Sequence, residues 1–206
     1  MPKAFVRVGG QRILDRAVCG ALAVPAVTHV VVVVPVAYVD RVRADLTSAD
    51  SGARVDVVAG GAERTDSVRA GLAALGPDAV IVLVHDAARC LTPPGVYERV
   101  IAAVAAGAPA VVPGLPVVDT MKVVDADGLV VHTPDRSSVR AIQTPQGFTR
   151  AALDRAHASG QLATDDAALA EACGIPVRVV DGDPLALKVT TPADLDHATR
   201  LLEARR

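Results

Sequence analysis

Tryptophan is absent, and only two Tyr and two Phe occur among 206 residues, so flat rings on which nucleobases could stack are almost missing. An excess of positive charge is missing as well. The 21 basic side chains meet 23 acidic ones, and a formal net charge of -2 offers no field to hold a polyanion. Both shortages argue against a nucleic-acid partner. Cysteine is scarce, and Cys19, Cys90 and Cys173 are an odd number, far apart, with no CxxC pair. That pattern suits neither a disulfide framework nor a structural zinc site, and it fits reduced thiols in the cytoplasm. Long apolar runs are lacking too: the stretch Val30 to Ala37 falls far short of the roughly 20 residues that cross a bilayer. The opening Met1-Pro2-Lys3-Ala4-Phe5 carries neither the charged nor the apolar region of a secretory signal. The expectation is a cytoplasmic protein with no membrane span.

What is present is apolar and regular. Hydrophobic residues make up 51% of the chain, enough for one large core, and no linker or repeat divides it, so residues 1–206 read as a single domain. The run Thr28 to Pro35 is β-branched and apolar on both alternations, as in a strand covered on both faces, and similar runs lie at 53–59, 79–84, 108–112 and 176–180. Segments of helical spacing lie between them at 12–23, 38–46, 65–75, 95–106, 150–158 and 165–173, with a final helix at 192–203. Strand and helix alternate, which predicts a three-layer α/β sandwich. The exception is 116–140, where Asp125-Ala126-Asp127-Gly128 separates two Val-rich stretches and predicts a hairpin arm projecting from the sheet.

Open α/β sheets bind ligands beyond the carboxyl ends of their strands, so polar residues just after each apolar run come first. After Val58 stand Gly60, Gly61 and Ser67, where glycines let a backbone approach a ligand at a helix N-terminus. Alternatively, they turn the chain while Thr65 or Asp66 caps the helix. After Val84 stand Asp86 and Arg89, a carboxylate for a sugar hydroxyl or the shell of a Mg²⁺ ion and a fork for phosphate. The alternative is an ion pair that closes the loop. His85 reads as a packed or capping residue outside the chemistry. Thr144, beside Pro145, could touch a phosphate or sugar. Lys188 sits in a stretch, Leu185 to Thr191, that reads as an apolar strand; it needs an anionic partner if buried, or else snorkels at a sheet edge.

Lys3 after a proline, Gly60-Gly61 with Arg64 and Asp66-Ser67, Val84 to Arg89, Asp119 to Lys122, Asp135-Arg136, Thr144-Pro145-Gln146, Thr164-Asp165 and Lys188-Val189-Thr190 occur in this order. In order and spacing the chain resembles the 2-C-methyl-D-erythritol 4-phosphate cytidylyltransferases along essentially its whole length. The resemblance implies a Rossmann-like, mostly parallel sheet of the nucleotide-diphospho-sugar transferase type. It also implies CTP and methylerythritol phosphate as substrates, with Mg²⁺ or another divalent cation. Residue by residue, Lys3 resembles the lysine on the triphosphate, and Gly60, Gly61 and Ser67 the frame around cytosine. Asp86 matches the residue near ribose and metal, and Arg89 would face phosphates. Arg136 and Lys188 resemble the pair that positions the acceptor phosphate, with Thr120, Thr144 and Thr164 as hydroxyl partners. The direct metal ligands stay unassigned. In the family the arm crosses a two-fold axis, which implies a homodimer in which Thr120 and Arg136 serve the neighbour's site.

One departure stands out. The family opens with a strand and a glycine-rich loop of the form A-A-G-x-G-x-R before the proline-lysine pair, so the expectation is an N-terminally truncated domain with Met1 as an internal methionine. Three other readings compete: a cytidylyltransferase for ribitol or another pentitol phosphate, a non-catalytic remnant that has lost CTP binding, and a sugar nucleotidyltransferase using UTP or GTP.

Overall fold

The computed structural model describes residues 2–46, 53–161 and 163–204; Met1, and with it the reading of the start site, lies outside them. A short 3-10 turn at Lys3–Phe5 leads into a hairpin of β1 (Arg7–Val8) and β2 (Gln11–Arg12). Its turn, Gly9-Gly10, has φ of 55° and 82°, positive at both positions as a two-residue hairpin turn requires. This hairpin was not among the sequence expectations, although the glycine pair is its signal.

The alternation of strands and helices follows. Helix α1 (Ile13–Leu22) precedes β3 (His29–Val34), and α2 (Val39–Leu46) precedes β4 (Arg54–Ala59). Next come α3 (Arg64–Ala74), β5 (Ile81–Val84), α4 (Pro94–Ala105) and β6 (Ala110–Pro116). Strands β7 (Val123–Val124) and β8 (Val130–His132) pair with each other, and β9 (Arg140–Ile142) and β10 (Gln146–Thr149) complete the middle of the chain. The last elements are α5 (Arg150–Ala158), α6 (Asp166–Ala172), β11 (Val177–Asp181) and α7 (Pro192–Glu203). Each helix and strand expected from periodicity is present, with ends shifted by a residue or two, except that β6 runs four residues further than the expected 108–112 and that no strand forms around Lys188. There, Pro184–Ala186 forms a 3-10 turn and the chain runs on irregularly to α7.

The sheet is mixed rather than mostly parallel. Strands β3 and β4 pair in parallel, as do β6 and β11, but β10 runs antiparallel between β5 and β6, and β9 antiparallel along β6. Helices cover both faces. On one side Phe148 of β10 packs with Leu72 of α3, Leu153 of α5 and Leu169 of α6. Burying such side chains contributes about 1.5–3 kcal/mol each. On the other side Val32 and Val34 of β3 meet Leu14 and Val18 of α1 and Val42 of α2. The period of two is visible in β3, because the intervening Val33 lies against Gly71 of α3, where a Cβ would come within 3.1 Å of it. Gly147 has the same role under α4: a Cβ there would stand 2.3 Å from Val100, so only hydrogen lets the helix sit this close.

The two parts of the sheet do not join. Among the described residues β3 pairs only with β4, and β5 only with β10. Between the free edges lies a cavity of ≈ 730 Å³ lined by residues 28–33 and 79–84, floored by Leu14, Ala17, Val18 and Ala21 of α1 and roofed by Val68, Gly71 and Leu72 of α3. The slot is largely apolar and runs along both strands, with Arg64, Asp78 and Asp86 also on its wall.

The Asp125 to Gly128 turn is built as its residues suggest. Asp125 Oδ1 accepts from the amides of Asp127 (3.0 Å) and Leu129 (2.9 Å), and Gly128 has φ of 81°. Around it Val118, Leu129, Val130 and Val131 are more than half exposed, an unusual density of apolar surface.

Candidate active site

Three loops meet beyond the carboxyl end of β5. Because β10 runs antiparallel to β5, with Gln146 opposite Val84, the residues that enter β10 lie beside those that leave β5. Thr144 is therefore brought to His85 and Asp86. Its hydroxyl lies 2.9 Å from His85 Nδ1 and accepts from the Asp86 amide at 3.0 Å, and the following Thr144-Pro145 peptide is cis. His85 packs against Tyr97 with its Nε2 buried, and desolvation pushes its pKa down to about 4, so it is neutral at physiological pH. It is a packing residue, as the sequence reading had it.

The third loop follows β11. Gln143 holds it with both ends of its amide: Oε1 accepts from Asp183 N and Nε2 donates to Asp183 O, each at 2.9 Å. Arg89 adds a second clamp, Nη1 donating to Ala186 O at 2.7 Å and Nη2 to Ile142 O at 3.2 Å, and Val189 N bonds Ala88 O. So fastened, the loop delivers Lys188, whose Nζ lies 2.7 Å from Asp86 Oδ2. The partner that Lys188 requires is Asp86, and no strand is needed to bring it there.

Charge at this point is balanced but not neutralised. Burial pushes the Asp86 carboxyl up, yet the hydrogen bond and charge of Lys188, with the charges of Arg64 and Arg89, outweigh it and hold the group below the usual carboxylate range. Desolvation lowers the Arg89 guanidinium against the opposing pull of Asp86. The expected alternative, an Asp86–Arg89 ion pair closing the loop, is not formed: Arg89 bonds backbone carbonyls instead. With both Nη atoms so engaged, and Nε buried without a partner, Arg89 first of all holds the cleft together.

The Gly60 to Ser67 loop needs its glycines for close packing rather than for unusual torsions. A Cβ at Gly60 would meet Ser67 Oγ at 2.7 Å, and one at Gly61 would meet Asp66 Cβ at 2.3 Å. The chain thus folds back on the first turn of α3, and Asp66 closes that turn by accepting from Glu63 N at 3.3 Å, while Ser67 Oγ donates to Glu63 O. The capping reading of Asp66 holds, with Glu63 as the N-cap residue; an exposed backbone edge at Gly61 remains beside it.

Thr164 is exposed just before α6. The helix start is fixed by Asp165, which accepts from Ala168 N at 2.8 Å, and by buried Gln146, which donates to Asp165 and accepts from Ala167 N. Lys3 and Thr120 are exposed. Arg136 donates to Val118 O at 3.0 Å and, with Arg140, lines a separate hollow of ≈ 460 Å³ beside 116–118. Among the described residues no hydrogen bond or ion pair joins Lys3, Thr120, Arg136 or Thr164 to the Asp86–Lys188 cluster. The structure unites Asp86, Arg89, Thr144 and Lys188. The residues that sequence reasoning left without a role are Gln143, Gln146, His157 and Asp166, all buried; Gln146 stands in the Thr144-Pro145-Gln146 string, and the other three belong to no short motif that would mark them.

An α/β/α sandwich with a carboxylate, cations and a glycine turn gathered beyond its strand ends has the build of a nucleotide-handling enzyme. The family model of 2-C-methyl-D-erythritol 4-phosphate cytidylyltransferase, IspD, matches residues 1–204. The chain belongs to that family, whose members are nucleotidyltransferases. A relative of the same name from Nocardia farcinica is 55% identical over 204 residues, covering 99% of this chain and 87% of the relative. Among solved structures, the 4-diphosphocytidyl-2C-methyl-D-erythritol synthase of Anaerococcus prevotii superposes with a TM-score of 0.90 at 29% identity, covering 97% of this chain and 93% of that one. The 2-C-methyl-D-erythritol 4-phosphate cytidylyltransferase of Thermus thermophilus gives 0.79 at 35% identity, with 98% and 94% covered.

Proposed function

We propose that this chain transfers the cytidylyl group of CTP to 2-C-methyl-D-erythritol 4-phosphate, forming CDP-methylerythritol and pyrophosphate in the non-mevalonate route to isoprenoid precursors. The observation that carries this reading is the Lys188–Asp86 pair, set at the carboxyl end of β5 in a chain that matches the family from end to end. Nothing in the fold favours a pentitol phosphate, UTP or GTP, or a remnant without catalysis.

An oxygen of the acceptor phosphate attacks the α-phosphorus of CTP, a new P–O bond forms, and the bond to the bridging oxygen of pyrophosphate breaks. The nucleophile is already an anion, so no general base is needed. The barrier lies in bringing anions together and in spreading charge as pyrophosphate leaves, which cations overcome by position and electrostatics. In this reading Lys3 contacts the triphosphate, Gly60, Gly61 and Ser67 frame the cytosine, and Asp86 faces the ribose. Lys188, held at the cleft by Asp86, and Arg136 take the acceptor phosphate. Thr120 and Thr164 are hydroxyl partners, while Thr144 and Arg89 order the loops around them.

A divalent cation such as Mg²⁺ fits the donor set. Among the described residues no three His, Cys, Asp or Glu gather as a ready-made metal cage, and Asp86 is a single half-buried carboxylate. Mg²⁺ is commonly held by one or two carboxylates plus substrate phosphates, and bound so it would neutralise phosphate charge.

The reading includes a homodimer through a β7–β8 arm. Its support is the exposed apolar row from Val118 to Val131 and the distance in connectivity between Arg136 and the Asp86 cluster. It includes a cytoplasmic location, which three unpaired thiols suit. It includes a further parallel strand between β3 and β5, supported by two facing edges that are unpaired among the described residues, along a largely apolar slot, and by α1, which leads into β3 like the crossover helix of a βαβ unit.

Steady-state turnover of CTP with methylerythritol phosphate against ribitol phosphate tests the activity. Preference for methylerythritol phosphate is expected, and preference for ribitol phosphate overturns the substrate. Absence of CTP binding by calorimetry with Mg²⁺ overturns the enzyme itself.

A further inference from the structure

Arg64 is the first residue of α3, directly after the Gly60–Glu63 turn, and its guanidinium reaches Asp166 at the start of α6, 2.6 Å away across 102 residues of sequence. Asp166 has no solvent exposure. Its other oxygen is bound by His157 Nε2 at 2.9 Å, and His157, buried on α5, has an Nδ1 with no partner. The ionised carboxylate can only accept, so Nε2 is the nitrogen placed to donate to it. Burial pushes the Asp166 carboxyl up, but the bonds from His157 and Arg64 more than offset this and keep it ionised. A fully buried carboxylate needs such partners, since an unpaired one is expensive.

The bridge has two ends of different kind. At one end lie Gly60, Gly61 and Ser67; at the other lie Thr164 and Asp165, and buried Gln146 ties down Asp165 and the Ala167 amide. Arg64 also contributes positive charge to Asp86 from the wall of the slot. Its side chain is 37% exposed, so the fold can lose it more easily than it can lose Asp166.

We propose that Arg64 is a positioning residue for this reaction: anchored by Asp166 and His157, it fixes the loop proposed to frame the cytosine against the helix start that carries Thr164. The inference rests on the cytidylyltransfer reading for its kinetic consequence, but the bridge itself can be read without any substrate. The expected effect falls on substrate affinity. The loop and the helix start should drift apart when the bridge is cut, while Lys188, Asp86 and Arg136 stay where they are.

The test compares Arg64→Gln, Arg64→Lys and Asp166→Asn in the full chain. A charge-assisted hydrogen bond of this kind corresponds to about ten- to a hundred-fold in affinity. Arg64→Gln should raise KM for CTP by that order with kcat changed less than about threefold, and Arg64→Lys should recover part of the loss. In the absence of substrate, hydrogen exchange at the Ser67 amide, which bonds Glu63 O, should speed up in Arg64→Gln while amides of α4 keep their wild-type rates. Unchanged exchange at Ser67 in both Arg64→Gln and Asp166→Asn overturns the bridge. Faster exchange with unchanged KM, or a fall in kcat alone, overturns the positioning role. A wild-type chain that binds no CTP defeats the functional reading and leaves the exchange measurement to judge the bridge.

Discussion

The ammonium of Lys188, on an irregular loop after β11, stands 2.7 Å from a carboxylate oxygen of Asp86 at the end of β5. Asp86 is half-buried, and Lys188 helps to hold it in its charged form at a cleft edge where substrate anions would arrive. Replacing Lys188 by Met should lower kcat/KM by about 10²–10³, the usual cost of losing one donor to a charged transition state. Lys188→Arg should recover little, because a planar fork does not replace a compact ammonium in this space. Steady-state kinetics with both substrates varied checks it, and a loss below about threefold removes Lys188 from the chemistry.

His85 gives the fold an acid limit. Its pKa falls from 6.5 to about 4 on folding because burial opposes the charged ring. The unfolded chain therefore takes up the proton first as pH drops. This contribution to stability is complete above about pH 6.5 and is lost progressively down to about pH 4, in total on the order of 3 kcal/mol. Urea midpoints measured across this range should fall with pH. In His85→Gln the fall should be shallower, and an equal fall in both proteins refutes the assignment.

Gly61 should not tolerate a methyl group. The Cβ of alanine there would stand 2.3 Å from that of Asp66, so the first turn of α3 must move. We expect Gly61→Ala to destabilise by about 1–3 kcal/mol and to weaken CTP binding more than it weakens binding of the acceptor. Thermal denaturation and calorimetry separate the two effects.

If Arg136 serves a second copy of the chain, two inactive variants should rescue each other. Mixtures of Arg136→Ala and Lys188→Met protomers contain hybrid dimers with one intact site, so activity should recover to about a quarter of wild type after exchange of subunits. No recovery after demonstrated exchange argues that Arg136 acts within its own protomer. Val130→Asp combined with Val131→Lys should shift the protein to monomers in sedimentation experiments, with its helix content unchanged.

The slot between β3 and β5 makes a prediction about mass. If a further strand fills it, the protein isolated from its natural host should weigh more than 21.1 kDa. A soluble, active protein of that mass overturns the reading.

Much of this was legible in the linear chain. The β-branched runs and the 3.6-residue spacing placed most strands and helices to within a residue or two, β6 with its longer carboxyl end apart, because local sterics and one-sided burial act over short distances. The Asp125–Gly128 turn was readable for the same reason. The string of motifs from Gly60 to Lys188 identified the family. The sequence did not tell that β10 runs antiparallel through the sheet, since strand direction depends on how the chain returns and not on any residue within the strand.

The sequence by itself determined the elements, the apolar faces and the chemical groups available for phosphate chemistry. Only the tertiary structure decided which of those groups meet. Lys188 reaches Asp86 because Gln143 and Arg89 sew its loop down, and Arg64 reaches Asp166 because α3 and α6 share one face of the sheet. Contacts of this kind join residues far apart in the chain, and they form when burial of the whole core makes up for the entropy of closing the long loops between them. No local pattern encodes that balance.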